Sequence, residues 1–509
     1  MKKSSGTIFD GECRPGGRGA GTEPRNTDVV RSIGLGAMLS VLLAGCVSTG
    51  DWHATPAIAP QNLVASRTLA NATVTPTAWP TDTWWSAYGD PQLDALITES
   101  FQGSPSLEIA QARLRAAQSQ ATRAKAARLP TTSVDAQVTK QRYPENGLYP
   151  PPFAGSYVTS GQLALDFSYD IDFWGRNREA LASARASVQA AEADQAAARL
   201  ALAVAVARAY IQLDLGYAFL EVAQSNLEQQ RSILDLTRQR VAAGLENTAR
   251  VKQSEGQVAL VQAGVDFTQA NIDTTRNALA ALVGVGPDRG LDLQRPHLAA
   301  PANIALPSTL PVDLLGRRPD VVAARWRVEA AARGVAASEA AFYPNVNLVA
   351  FAGLQAIGLS KLFDANDAIV GGGPAVSLPV FNRGALRGAL QAQQAEYDLS
   401  VGQYNQNLID AIHDVADVMT NWSATEKEIA DAHTALDSAQ RSYELTRERY
   451  SAGLDNYLSV LSAENQMFTA QALLAELQSR RLSTSTDLIR ALGGGYTPPV
   501  SLAAAQPPK

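Results

Sequence analysis

The chain has 509 residues, 46% hydrophobic and 18% charged, with a formal net charge of -6. Two cysteines exclude a disulfide framework or a four-cysteine zinc site, and no Lys/Arg-rich block offers a nucleic-acid footprint. No unbroken run of 18 apolar residues reads as a membrane-spanning helix, and aromatics at 6% with abundant alanine fit long, closely packed helices.

The first element in chain order is an address. Residues Ile33 to Ala44 are apolar or small and follow Arg25 and Arg31. At 12 residues this stretch is too short to span a bilayer and fits the core of a signal peptide. It ends in Leu43-Ala44-Gly45-Cys46, which looks like a bacterial lipobox. Residues 1–45 are therefore expected to be a lipoprotein signal peptide, with Cys46 acylated and 46–88 an extended segment. Val47, where an aspartate would resemble an inner-membrane retention signal, favours the outer membrane.

The body is an internal repeat, the feature to seek before secondary structure. Residues 240–286 align with 449–495 at an offset of 209, with 15 identities in 47 positions and no gap. They include Gly244/Gly453, Leu245/Leu454, Asn247/Asn456 and Glu255/Glu464. Upstream, Ala110, Arg113, Ala116, Ala117 and Pro130 match Ala324, Arg327, Ala330, Ala331 and Pro344. Two units follow, 89–287 and 313–495, separated by a linker at 288–312. A Pro/Ala-rich tail occupies 496–509.

Each unit predicts a helix, two strands, a long helix and a further helix. Val206, Leu213, Leu220, Leu227, Leu234 and Val241 recur every seven positions, as do Val415, Trp422, Ile429, Leu436, Tyr443 and Tyr450. Such spacing means coiled-coil-like packing. Helices from Arg176 to Ala243 and from Gly384 to Ala452 would each be roughly 100 Å long. Before the first, Leu163, Leu165, Phe167, Tyr169, Ile171 and Phe173 alternate with polar or small residues. Val134, Ala136 and Val138 do the same, and weaker strands are expected at Val346–Phe351 and Ala375–Val380. An outer-membrane barrel and a soluble half-buried hairpin both fit that alternation. Four strands cannot close a bilayer barrel, so a barrel requires assembly, eight strands in a dimer or twelve in a trimer.

Catalytic signatures are missing. No G-x-S-x-G, phosphate-loop or H-E-x-x-H motif occurs, and His413 and His433 lack metal-ligand spacing. No enzyme, metal or cofactor is expected. Gly371-Gly372-Gly373-Pro374 reads as a turn beside a strand, and Asp166, Asp170 and Asp172 as a hydrophilic lumen lining. Trp79, Trp84 and Trp85 read as packing against the helical body. Phe173-Trp174 fits either a membrane interface or a strand-to-helix junction.

From about residue 80 to 495 the chain resembles the TolC-like outer-membrane efflux factors, specifically the NodT-type lipoproteins of resistance-nodulation-division systems. The resemblance rests on Trp84-Trp85, Asp90-Pro91-Gln92-Leu93, Arg317-Arg318-Pro319-Asp320, Ala341-Phe342-Tyr343-Pro344 and Pro379-Val380-Phe381, in order, with the two Ala-Gly-Leu turns. It implies a mixed α+β membrane protein. The protomer would build a homotrimer, with a 12-stranded barrel in outer-membrane lipid continuing into a long periplasmic α-helical barrel. The implied activity is passive conduction. The implied partners are a periplasmic adaptor (membrane fusion protein) and an inner-membrane resistance-nodulation-division pump. Adaptor docking would fall on Ala243, Gly244, Leu245, Ala452, Gly453 and Leu454. The periplasmic aperture would be lined by Tyr457, Leu458 and Ser462, and a tip latch formed by Arg250 and Asp455. Departures are Ser104-Pro105 before a helix, Ala324-Arg325 where relatives commonly have Ala-Glu, and Ser462 where they often carry an aspartate. The alternatives are a type I protein-secretion duct and a non-conducting coiled-coil lipoprotein.

Overall fold

The computed structural model describes residues 52–59, 62–63, 65, 67–68, 79–299, 316–379 and 381–497. Cys46, the expected signal peptide and most of the expected linker lie outside them. The first half runs α1 (Pro91–Gly103), α2 (Pro105–Ala126), β1 (Thr131–Arg142), β2 (Tyr157–Asp170), α3 (Arg176–Ala242) and α4 (Thr248–Val283). The second half runs α5 (Pro319–Ala340), β3 (Asn345–Ile357), β4 (Ala368–Ser377), α6 (Arg383–Ser451) and α7 (Tyr457–Ala491).

The helix starts are local chemistry. Asp90 caps α1 by accepting from the Gln92 N–H, with Pro91 at the first helical position. The same carboxylate accepts from the Tyr210 hydroxyl at 2.7 Å and the His297 N–H at 2.8 Å, tying α1 to the body. The main core lies alongside, where Trp84, Trp85, Leu93 and Ile97 pack with Val206, Tyr210, Leu213 and Leu279. Trp84 and Trp85 are thus packing residues, and Trp79 lies under the Arg317 guanidinium at 4.7 Å. Among the described helices α3 is the most apolar over one stretch. It holds a stretch apolar enough by composition to cross a bilayer, because Ala, Val and Leu outweigh its few interrupting charges. Of that stretch 44% is buried within the chain, and α3 gives Leu202, Val206 and Tyr210 to the main core.

The strands form one antiparallel sheet in the order β1-β2-β3-β4. Directly paired residues share a face, so register decides what each face presents. Val134, Leu165, Ala352 and Val370 form one cross-strand row, and Ala136, Leu163, Leu354 and Ala368 another. The opposite face carries the row Gln137, Gln162 and Gln355. One face is therefore largely apolar and the other largely polar, and β1 and β4 are open edges.

Two strand boundaries differ from expectation. The run Gly371–Pro374 is not a turn but the middle of β4. The Phe351 ring covers Gly371 across the pair, where an added Cβ would meet it at 2.6 Å. Pro374, without an N–H to give, sits on an edge strand opposite Leu348. At the other side β2 ends at Asp170, short of Phe173. Asp172 turns the chain with φ 49, and its carboxylate accepts from the Asn177 and Arg178 N–H groups at the start of α3. Asp170 accepts from the Asp172 N–H and the Asn177 amide. Both carboxylates therefore serve this junction, and only Asp166 keeps the expected place on the polar face. Trp174 also belongs to the junction, stacked on Tyr343 at 4.5 Å and donating to the Pro344 carbonyl at 2.9 Å.

Residues 52–58 strap onto α6. Trp52 packs edge-on against Tyr397 at 5.4 Å, and its indole N–H and the Thr55 N–H both donate to Asp398. The Ile58 N–H donates to Asn405 at 2.8 Å.

The α5–α6–α7 junction turns on Arg318, whose side chain is 6% exposed. It donates to Asp320 at 2.7 and 3.1 Å and to Asp414 at 2.9 Å, and Asp414 also pairs with Arg490 at 3.3 Å. Burial works against its charge, but the two carboxylates outweigh that and hold its proton above the usual arginine range. Removing Arg318 takes the shared cation from both carboxylates, which are 43% and 29% exposed, and leaves its own buried site empty. Arg318→Ala should accordingly lower the thermal unfolding midpoint of the purified protein far more than Arg333→Ala, whose side chain is 47% exposed and pairs with Glu329 and Glu179. Equal midpoints would show that the buried cluster is not what holds the junction.

Candidate periplasmic tip and channel wall

The α3–α4 and α6–α7 reversals are built alike. At the first, the Leu245 N–H donates to the Arg240 carbonyl at 2.9 Å and the Gly244 N–H to the Val241 carbonyl at 3.0 Å. At the second, Leu454 and Gly453 repeat both bonds to Arg449 and Tyr450 at 2.9 and 3.0 Å. This is the paired-bond helix ending that needs a left-handed residue, and Gly244 and Gly453 supply φ 72 and 74. Nothing lies within 4 Å of a Cβ built at either glycine, so backbone conformation alone selects them. Ala243 and Ala452 are the residues just before. Asn247 and Asn456 then cap the returning helices by accepting from the Arg250 and Ser459 N–H groups. Leu245 and Leu454 are left 67% and 69% exposed, two apolar side chains at the ends of long helical hairpins.

The charges at the tips close on themselves. Arg240 pairs with Glu246 at 3.8 Å, and Arg449 with Asp455 at 3.4 Å. Hydrogen bonds from Ser459 and the Asn456 N–H, with Arg449, hold the Asp455 carboxyl below its ordinary range. Arg250 meets Glu246 at 3.8 Å and Gln253 at 2.9 Å. Within one protomer, Arg250 and Asp455 thus have separate partners and are not joined. One link between the hairpins is Arg240, which donates to the Tyr450 carbonyl at 3.1 Å and lies 4.8 Å above its ring. Sequence reasoning missed Arg240. Its identity with Arg449 across the repeat was visible, but not which of the two reaches the other hairpin.

The expected aperture residues separate. Tyr457 is 2% exposed, packed among Ile233, Tyr443, Tyr450, Val460 and Met467. Leu458 is 52% exposed, and Ser462 is exposed beside it. Adjacent helical residues point about 100° apart, whereas residues four apart share a face. Tyr457 is therefore a packing residue of the tip, while Leu458 and Ser462 stay on the open face. Ser462 lines a shallow groove of about 660 Å³ between α6 and α7, with Ser438, Ser442, Asn465 and Thr469 among its walls. That groove carries small and neutral polar groups and no carboxylate. Among the described residues no cluster of His, Cys, Asp or Glu is arranged to hold a metal.

A model of the family described as Outer membrane efflux protein matches residues 96–285 and 310–494. The chain is 40% identical over 362 residues to the fusaric acid resistance protein FusA of Burkholderia cepacia, covering 70% of this chain and 68% of that one. It is 31% identical over 430 residues to the multidrug resistance outer membrane protein MdtP of Escherichia coli, covering 82% and 87%. Among solved structures, the outer membrane protein VceC of Vibrio cholerae is similar with a TM-score of 0.78 and 40% identity, covering 82% of this chain and all of that one. The outer-membrane channel OprN is similar with a TM-score of 0.79 and 27% identity, covering 88% and 98%. An apolar-faced sheet, two long helical hairpins and these matches lead to one conclusion: the chain belongs to the outer membrane efflux protein family and is an outer-membrane efflux channel.

Proposed function

We propose that three copies of this chain close into a duct that passively conducts small toxic molecules from a periplasmic adaptor and an inner-membrane resistance-nodulation-division pump to the exterior. The observation that carries this reading is the open four-stranded sheet with one apolar face. Lipid does not tolerate unpaired strand edges, so β1 of one copy must meet β4 of the next. Twelve strands then surround a lumen lined by the polar rows, and the hairpins continue it into the periplasm. The cargo class follows the names of FusA and MdtP, which refer to resistance to fusaric acid and to multiple drugs. In such a trimer, Arg250 and Asp455 bring opposite charges to adjoining tips, a link worth about 0–1 kcal/mol and suited to a gate that a partner opens. Single-channel recording of the purified protein in planar bilayers tests the reading. A non-conducting coiled-coil lipoprotein would pass no current.

Cys46, after Leu43-Ala44-Gly45, is assigned as the acyl anchor. Each buried CH₂ adds about 0.8 kcal/mol, so several chains hold firmly. Labelling with a palmitate analogue should mark wild type and not Cys46→Ser, and equal labelling would remove the anchor from this account.

The exposed leucines of both tips are assigned to adaptor docking. Leu245→Asp combined with Leu454→Asp should abolish drug resistance in cells while membrane levels and oligomer stay normal. Resistance that persists at normal levels would place docking elsewhere.

Leu458 and Ser462 are assigned to the aperture. With no carboxylate on that groove, closure rests on apolar and neutral contacts. Leu458→Ala should raise single-channel conductance, and micromolar trivalent cations should leave wild type unblocked. Block of wild type, relieved in the Leu458 variant, would reveal an acidic ring instead.

A further inference from the structure

The two halves place the same acid in opposite surroundings. Glu255 and Glu464 occupy equivalent positions of the repeat, as do Arg238 and Arg447. In the first half the pair is made at the surface: Glu255 has Lys252 at 2.9 Å and Arg238 at 3.2 Å. In the second half it is not. Glu464 is 0% exposed, and its Oε2 accepts from the Gln230 side-chain amide of α3 at 2.5 Å. Arg447 lies instead 6.0 Å above the Tyr443 ring.

Glu464 sits on the α7 face that also buries Tyr457, Val460 and Met467. From α6 come the phenols of Tyr443 and Tyr450 and the guanidinium of Arg447, from α7 itself the phenol of Tyr457, and from α3 Arg240, which is held by Glu246 and Tyr450. The second carboxyl oxygen of Glu464, the Gln230 carbonyl and the hydroxyls of Tyr450 and Tyr457 lack hydrogen-bond partners. A buried carboxylate with one hydrogen bond and no cation is costly, whereas the neutral acid carries a proton to donate into this set of acceptors. Burial pushes the Glu464 carboxyl up to about 7. Its folded value lies above the ordinary 4.5. The buried arrangement is therefore fully stabilised below about pH 4.5, and that stabilisation is lost as pH rises through about 7.

We propose that Glu464 is a proton-operated catch of the periplasmic tip. Protonated, it holds α7 against α3 through Gln230; ionised, it leaves the core for Arg447, as Glu255 does for Arg238, and the tip loosens. The catch rests on the reading above that the tip closes the duct.

The test records single-channel conductance of the full-length channel from about pH 6 to about pH 8, across which the ionised fraction of a group titrating near 7 climbs from about 0.1 to about 0.9. Wild type should conduct more at the higher pH. Glu464→Gln, neutral throughout, should stay at the low level, and Arg447→Gln should move the midpoint to higher pH. In parallel, the infrared carbonyl band of a buried protonated acid should be present in wild type at the lower pH, lost at the higher, and missing from Glu464→Gln at both. A wild-type pH profile in Glu464→Gln overturns the proposal, as does the lack of that infrared difference. Leu458→Ala separates the two readings. If it changes conductance while Glu464→Gln keeps the wild-type profile, the gate stands and the catch falls. If neither substitution changes conductance although the infrared band titrates, the tip is not the constriction and the catch fails with it.

Discussion

A strand in hydrocarbon can place its N–H and C=O groups only on another strand. That constraint governs the molecule more than any single contact does. One protomer supplies β2 and β3 with partners on both sides and leaves β1 and β4 with one each. The sheet is thus half-finished by itself, with two open edges and one largely apolar face. The helices inherit the same geometry. Each hairpin of strands feeds a helix of 67 or 69 residues, so the direction in which the strands leave the sheet sets the direction of the helices.

Duplication makes this economical, and departures from it mark where the halves have diverged. The two tips keep the same glycine, the same asparagine cap and the same internal arginine–carboxylate pair. At the upper ends symmetry is gone. Asp172 closes the start of α3, while the position 209 residues later is Phe381, 99% exposed. Within the tip, Arg240 crosses to the other hairpin and Arg449 does not. One protomer therefore ends in two hairpins of the same construction that make different contacts.

Much of the architecture was legible because long-range order has a local signature. Proline-free heptads gave α3 and α6 to within a residue or so at each end, and alternation found the centre of β2. Strand ends were not legible. The glycines and proline of β4 carry turn chemistry, and only the Phe351 ring, a neighbour in space, explains why they lie in a strand. Asp170 and Asp172 share the polar phase of β2, and sequence phase does not show where the strand stops and the capping begins. At the tip, the glycine turns could be read from residue type alone. The burial of Tyr457 against Tyr450 and the reach of Arg240 depend on how two hairpins pack, which no periodicity within one of them encodes.

The strap at Trp52 has a consequence for α6. Asp398 takes two N–H donors from it and Asn405 a third, and these two residues lie seven apart on the helix, about 10 Å along its axis. A segment pinned at two points two turns apart can neither slide along the helix nor swing about it. Residues 52–58 therefore act as a splint along α6, below its start at Arg383.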